Sequence, residues 1–98
     1  MSTDRAAVER LLGPVMDWMI GGGDPWQMDL DYWERRRQMM NEGETFGGPP
    51  GEYLSNIDTA MDAFSPDADP DWHQIDEAQL RRELEAAIGN LKRIGYLD

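Results

Sequence analysis

Leucine and isoleucine recur at helical spacing in the last quarter of the chain, at Leu80, Leu84, Ile88 and Leu91. Three- and four-residue steps place such side chains on one stripe of an α-helix. Asp76 precedes the stripe as an N-cap residue, and Gln79 three positions later completes a capping-box pattern. Gly95 follows as a natural stop. The pattern predicts a capped amphipathic helix from Asp76 to just before Gly95.

Proline and glycine bound two further helical segments. Apolar residues recur at helical spacing from Tyr53 to Phe64, between Pro49-Pro50-Gly51 and Pro66, which predicts a helix of about 13 residues. Asp24 followed by Pro25 predicts the start of an earlier helix, with a start nearer Asp29 as the alternative. The expected inner stripe of this earlier helix consists of Trp26, Leu30, Trp33 and Met40.

A further helix is expected from Asp4 to Ile20. Gly13-Pro14 interrupts it, and we expect a kink or a break there because proline lacks a backbone N–H and clashes with the carbonyl four residues back. Short polar loops join the four apolar stripes, and no alternating strand pattern competes with them. The sequence therefore predicts an all-α fold, a single-domain antiparallel four-helix bundle over residues 1–98.

The charge balance limits the classes of partner. Twenty acidic residues against nine basic ones give a formal net charge of -11. Such a chain repels nucleic acid and anionic membranes, whereas a basic protein is the electrostatically natural partner. Plain solubility is the alternative explanation of the charge. The chain has no cysteine, and it shows no signal-peptide pattern and no apolar membrane-spanning run, which predicts a cytoplasmic protein.

The acidic residues are concentrated in one part of the chain. No Lys or Arg occurs from Gln38 through Leu80, and half of the acids lie there: Glu42, Glu44, Glu52, Asp58, Asp62, Asp67, Asp69, Asp71, Asp76 and Glu77. Asp58 and Asp62 stand one helical turn apart, where like charges oppose helix formation by a few tenths of a kcal/mol. A surface of carboxylates with no counter-charge nearby in sequence predicts a contact with a basic partner.

The segment Ser65-Pro66-Asp67-Ala68-Asp69-Pro70-Asp71 continues this acidic stretch. Its alternating carboxylates suit the first ligand positions of a calcium loop, but Trp72 stands where such a loop needs Gly and Ala78 where it needs Glu. His73 is the only histidine, and the chain has no phosphate loop or metal-binding His pair. We therefore expect no enzyme activity, metal or cofactor. Trp72 is interpreted either as a lid on the bundle or as an interface anchor.

Phe64-Ser65-Pro66-Asp67-Ala68-Asp69, with Ile75-Asp76-Glu77 and the leucine-marked helix beyond, resembles the colicin D immunity protein family. The resemblance is best from about Ser55 to Leu91, and Trp33 to Arg37 is similar more loosely. It implies a small four-helix bundle that blocks the ribonuclease domain of a tRNA-cleaving bacterial toxin by imitating the backbone of the anticodon stem-loop. Asp62, Asp67 and Asp69 match acidic positions of that family. Ser65 departs from it, because the family protein has an acid there, and Asp62 is one methylene shorter than its counterpart.

These observations predict an immunity protein or antitoxin of a bacteriocin or a contact-dependent inhibition system. Its partner would be a basic ribonuclease toxin domain bound as a 1:1 heterodimer, without direct contact to nucleic acid or membrane. The expected toxin-binding residues are Asp58, Asp62, Ser65, Asp67, Asp69, Asp71 and Trp72. Two alternatives stay open: an acidic helical adaptor that binds another basic protein, and a hydrolytic or metal-dependent enzyme that uses clustered carboxylates.

Overall fold

The computed structural model of the protein describes residues 4–98. It contains five α-helices: α1 Arg5–Leu11, α2 Gly13–Gly21, α3 Pro25–Asn41, α4 Gly51–Ala63 and α5 Glu77–Arg93. A 3₁₀ turn, Pro70–Trp72, lies in the segment before α5. No strand forms in the part of the chain that the structure describes, where a single isolated bridge pairs Phe64 with Ile75. The all-α prediction is confirmed.

The N-caps of α3 and α5 form where the sequence predicts them. The Asp76 carboxylate accepts the Gln79 backbone N–H at 2.8 Å, and the Asp24 carboxylate accepts that of Trp26 at 3.0 Å. The reciprocal half of the Asp76 capping box is absent among the described contacts, where the Gln79 side-chain oxygen accepts from Arg82 Nη2 at 2.6 Å instead. A single cap bond still satisfies one of the free N–H groups at a helix start, so the predicted helix starts are confirmed.

The predicted interruption at Gly13-Pro14 is a break between α1 and α2. Pro14 has no N–H to give to the Arg10 carbonyl oxygen four residues earlier, and Arg35 of α3 donates its Nη1 hydrogen to that oxygen at 2.9 Å. Gly13 leaves the room for this contact, since a Cβ there would lie 2.5 Å from the same nitrogen. The bond to Arg35 therefore ties the break to α3 and compensates the backbone group that proline leaves free.

All five helices and both ends of the loop before α5 contribute to one apolar core. Val8 and Leu11 of α1, Val15 of α2 and Tyr32 of α3 are almost fully buried. The α4 and α5 contributions follow the predicted stripes, with these side chains buried: Leu54, Ile57, Ala60, Met61, Leu80, Leu84, Ile88 and Leu91. Burying an aliphatic side chain of this size contributes about 1.5 to 3 kcal/mol, so this shared core holds α4 and α5 together.

The predicted inner stripe of α3 is wrong for three of its four residues; the fourth, Trp33, is partly buried against the core. Trp26, Leu30 and Met40 are 44%, 50% and 52% exposed, whereas Met28, Asp29, Tyr32 and Met39 are buried. The helix carries two stripes with apolar residues at helical spacing, and local periodicity cannot choose between them. Tertiary contacts determine which stripe faces the core. Tyr32 and Arg36 bond to Asp58 of α4, and this orientation turns Leu30 toward solvent.

Candidate functional site

The loop between α4 and α5 is held closed by backbone hydrogen bonds. Ser65 N–H donates to the Ile75 carbonyl oxygen at 3.1 Å, and Ile75 N–H donates to Ala63 at 2.9 Å. Inside the loop, Trp72 N–H bonds to the Asp69 carbonyl oxygen at 3.0 Å, and the Asp69 N–H bonds to the Gln74 side chain at 3.0 Å. These bonds give the predicted acidic segment a defined shape that it presents between two helices.

Asp69 stabilises this loop with its own side chain. Its carboxylate accepts the Asp71 N–H at 3.0 Å, which is an Asx turn, and the residue is half-buried. One of its two oxygens is thus engaged within the loop. Of the carboxylates predicted for contact, Asp69 is better suited to shaping the loop than to meeting a partner.

Asp67, Asp71 and Trp72 project from the loop. Both aspartates are exposed, and the Trp72 indole is 76% exposed, so Trp72 does not act as a lid on the helices. Asp67 borders an open cavity of about 510 Å³ that Asp76 and Arg82 also line. Ser65 is half-buried, and its Oγ accepts the Asp67 N–H at 3.4 Å. The interface-anchor interpretation of Trp72 stays a prediction.

Asp58 is neutralised within the protein, against the expectation of an unpaired row of acids. Its two oxygens receive Arg36 Nε at 3.1 Å and Arg36 Nη2 at 3.0 Å, and the Tyr32 hydroxyl also donates to it. Burial, followed by the neighbouring Asp58, raises the pKa of Tyr32 above its ordinary value. Arg36 lies upstream of the stretch without basic residues, so a search of neighbouring sequence could not find this pair. Asp58 is a structural carboxylate.

Asp62, one turn further along α4, is exposed and forms no ion pair among the described residues. Its charge acts instead on Asp29 of α3. Burial, opposed by a hydrogen bond with the Trp33 side chain and reinforced by the Asp62 charge, raises the pKa of Asp29 to about 6. Asp29 Oδ1 has no hydrogen-bond partner. Sequence reasoning considered Asp29 only as an alternative helix start. Its position one turn before Tyr32 and Trp33 was the signal available.

The ion pairs lie away from the loop and the end of α4. The four within residues 4–98 are Arg5–Glu9, Arg5–Asp98, Arg10–Glu42 and Arg36–Asp58. The Arg82 guanidinium, which lines the cavity beside Asp67, donates to the Gln79 amide oxygen at 2.6 Å. We define the acidic end as Asp62, Asp67, Asp71, Trp72, Asp76 and Glu77, all of which are exposed. Its carboxylates have no cationic partner in the described chain.

The acidic end has two flanks rather than one straight row. Asp62 lies on the α3 side, where its charge acts on Asp29, and Asp67 lies on the α5 side, in the cavity that Asp76 lines. The predicted residues are thus brought to the same end of the molecule, but at different sides of the end of α4. A partner that contacts both flanks has to extend across the end of that helix.

Two other surfaces bear on chemistry. An open cavity of about 620 Å³ lies between α2 and α3 and is bordered by Asp17, Asp24, Asp31 and Glu34; sequence reasoning did not identify it. Among the described residues, no group of three His, Asp or Glu side chains is arranged to hold a metal ion. His73 is exposed in the loop and adopts a left-handed backbone conformation, with φ 57°.

No family model, curated protein or solved structure matches this chain. The resemblance to the colicin D immunity family therefore stays a prediction from the residues quoted above. Over the part of the chain that the structure describes, no helix has both the length and the apolar character needed to cross a membrane.

Proposed function

We propose that this chain is an immunity protein or antitoxin that binds a bacterial tRNase toxin and occludes its active site. The observation that carries the proposal is the acidic end, whose exposed carboxylates form no ion pair among the described residues. Arg82, which borders the cavity beside Asp67, donates to the Gln79 amide oxygen instead. A nuclease that holds RNA phosphates with Lys and Arg offers the complementary charges. The motif around Asp67 connects this surface with the colicin D immunity family.

The mechanism is steric occlusion supported by charge. Carboxylates at Asp62, Asp67 and Asp71 take the positions of RNA phosphates and accept charge-assisted hydrogen bonds from the toxin. The closed loop reduces the ordering cost of binding, because its backbone is already bonded to Ala63 and Ile75. Opposite potentials accelerate the encounter, so the association rate is expected to fall as salt rises. Trp72 is the candidate hydrophobic anchor within the charged surface.

The finer architecture belongs to the same proposal. The broken pair α1 and α2 counts as one segment, so the chain forms a single domain arranged as an antiparallel four-helix bundle in the manner of that family. We place it in the bacterial cytoplasm as a 1:1 heterodimer with its toxin. Asp58 leaves the proposed contact set, because Arg36 and Tyr32 already occupy its carboxylate.

The test is tRNA cleavage by a candidate toxin nuclease domain, sought first among the genes that neighbour this one. The parent protein should suppress cleavage at about one equivalent, as a 1:1 inhibitor does. The double variant Asp62→Lys and Asp67→Lys should fold normally and lose protection, because repulsion replaces attraction on both flanks. Asp17→Lys and Glu85→Lys, two exposed acids outside the acidic end, make the same change in net charge and should protect like the parent.

Two results would count against the proposal. A parent protein that leaves cleavage unchanged at tenfold excess refutes the immunity function for this nuclease. Full protection by the double variant, with the parent active, shows that the acidic end is not the contact surface. Circular dichroism of every variant accompanies the assay, so that unfolding is not mistaken for a lost contact.

A further inference from the structure

The seam between α3 and α4 contains a second acidic position beneath Asp62. The centroid of the Trp26 ring of α3 lies 6.3 Å from that of Phe64, the C-cap residue of α4, and the Tyr32 hydroxyl donates to Asp58 of α4. The start of α3 thus meets the end of α4, and residue numbers fall along α4 as they rise along α3. Continuing this register between the two contacts places Asp29 level with Met61, the residue next to Asp62. The effect of the Asp62 charge on Asp29 agrees with that placement.

Asp29 is a carboxylate without adequate compensation. It is only 6% exposed, and its Oδ1 has no hydrogen-bond partner. The guanidinium of Arg36, two turns further along the same face of α3, is occupied by Asp58. A buried acid that lacks a cation is costly, and a second negative charge at Asp62 adds to the cost. The seam at this point lacks one positive charge.

The surroundings favour a planar cation over a compact one. Trp26 is 44% exposed beside the seam, and Trp33 is partly buried against the core. Leu30 is 50% exposed on the same helix. A guanidinium can pair with a carboxylate through two N–H groups and can stack on an indole face, whereas an ammonium is more strongly hydrated. The described chain offers no third carboxyl or imidazole that would complete a metal site here.

We propose that the Asp62 carboxylate, backed by the buried Asp29 carboxylate, binds the guanidinium of an arginine side chain of a basic protein partner. The identity of that partner rests on the proposed function, but the arginine preference does not. Asp62 makes the direct contact at the exposed rim. Asp29 strengthens it from below through the electrostatic field, which a low-dielectric site transmits better than water.

The probe is an octa-arginine peptide, titrated calorimetrically into the full chain at pH 7.5 and low salt. Asp62→Asn should weaken binding about tenfold, and Asp29→Asn about fivefold, in line with the coupling of close charge pairs. Asp17→Asn removes the same charge from an exposed site between α2 and α3 and should change binding less than about twofold, since distant exposed charges are screened. An octa-lysine peptide should bind the parent more weakly and without dependence on Asp29.

A second readout follows the Asp29 carboxyl carbon by NMR. Adding octa-arginine should lower the pKa of Asp29, because a bound cation favours the ionised form. An unchanged Asp29 titration, or equal binding by Asp29→Asn and the parent, overturns the proposal. A stoichiometric shift of the same resonance with calcium chloride alone also overturns it, because the occupant is then a metal ion.

The two proposals fail separately. If the parent binds octa-arginine through Asp29 and Asp62 but does not protect tRNA, the anchor stands and the tRNase partner is wrong. If the parent protects tRNA and Asp29→Asn protects equally, with unchanged peptide binding, the immunity function stands and the anchor is wrong.

Discussion

The middle and the end of the α3–α4 seam hold similar acids in opposite conditions. In the middle, Asp58 receives Arg36 and the Tyr32 hydroxyl. At the end, one turn away, the Asp62 charge acts on the buried Asp29, and neither carboxylate forms an ion pair among the described residues. Carboxylates on the same two helices therefore differ in role. The paired Asp58 joins the helices, whereas the charges of Asp62 and Asp29 are left without a cation near the surface. A buried carboxylate therefore stabilises the fold only where another group of the protein pairs with it.

The largest expected effect comes from removing the Arg36–Asp58 ion pair in the middle of the seam. Arg36→Met leaves the Asp58 charge and the Tyr32 hydroxyl without their cation in a partly buried site, which should cost about 3 kcal/mol of unfolding free energy. Urea unfolding at pH 7 measures this. The double variant Arg36→Met and Asp58→Leu removes both charges and should recover most of the loss. A single variant as stable as the parent would show that the pair is not structural.

At the end of the seam, the charge of Asp29 should lower stability, whereas the ion pair in the middle raises it. The pKa of Asp29 rises from 3.8 to about 6 on folding, so the folded protein binds this proton more tightly than the unfolded chain. Its contribution to stability is present below pH 4 and is lost as pH rises through 6. At about 1.4 kcal/mol per pH unit, the loss approaches 3 kcal/mol.

Asp29→Asn should remove this dependence. The variant should be about 2 kcal/mol more stable than the parent at pH 7.5 and close to it at pH 4. Denaturant unfolding at the two pH values measures the difference. Equal stability at pH 7.5 would mean that Asp29 is compensated in solution.

Substitution of Trp72 tests whether this exposed side chain contributes to binding of the nuclease. Trp72→Ala should change the unfolding free energy by less than about 0.5 kcal/mol, since the indole is 76% exposed. Inhibition of the nuclease should weaken by about 2 kcal/mol, or roughly thirtyfold, if the indole is an anchor. The inhibition constant provides the measurement. An unchanged constant would leave the charged residues as the whole interface.

The smallest effect is expected where α2 contacts α3, at Gly13 and Arg35. Gly13→Ala places a methyl group against the Arg35 guanidinium, which can move away but then loses its bond to the Arg10 carbonyl oxygen. The lost bond is worth about 1 kcal/mol and the better helix propensity of alanine offsets part of it. We expect a net loss of about 0.5 kcal/mol, measured as a small fall in Tm. A gain in Tm would show that the Arg35 bond is dispensable.

The sequence by itself determined the features that depend on neighbouring residues. The caps at Asp24 and Asp76, the break at Gly13-Pro14 and the apolar stripes of α4 and α5 all follow from local backbone chemistry and periodicity. Charge placement predicted Asp62, Asp67 and Asp71 together with Asp58 and Asp69; the first three are exposed, whereas the last two are engaged within the protein. Each of these rests on groups within a few residues, which a linear pattern contains.

Only the tertiary structure decided the rotation of α3, the pairing of Asp58 with Arg36 and the burial of Asp29. Tyr32, Arg36 and Asp58 come from segments more than 20 residues apart, and the choice between two similar stripes depends on the energy of such distant contacts. A carboxylate has the same sequence signature whether an arginine from another helix reaches it or not. The physical reason is that two charges interact according to their distance in space, whereas a sequence pattern contains only their separation along the chain.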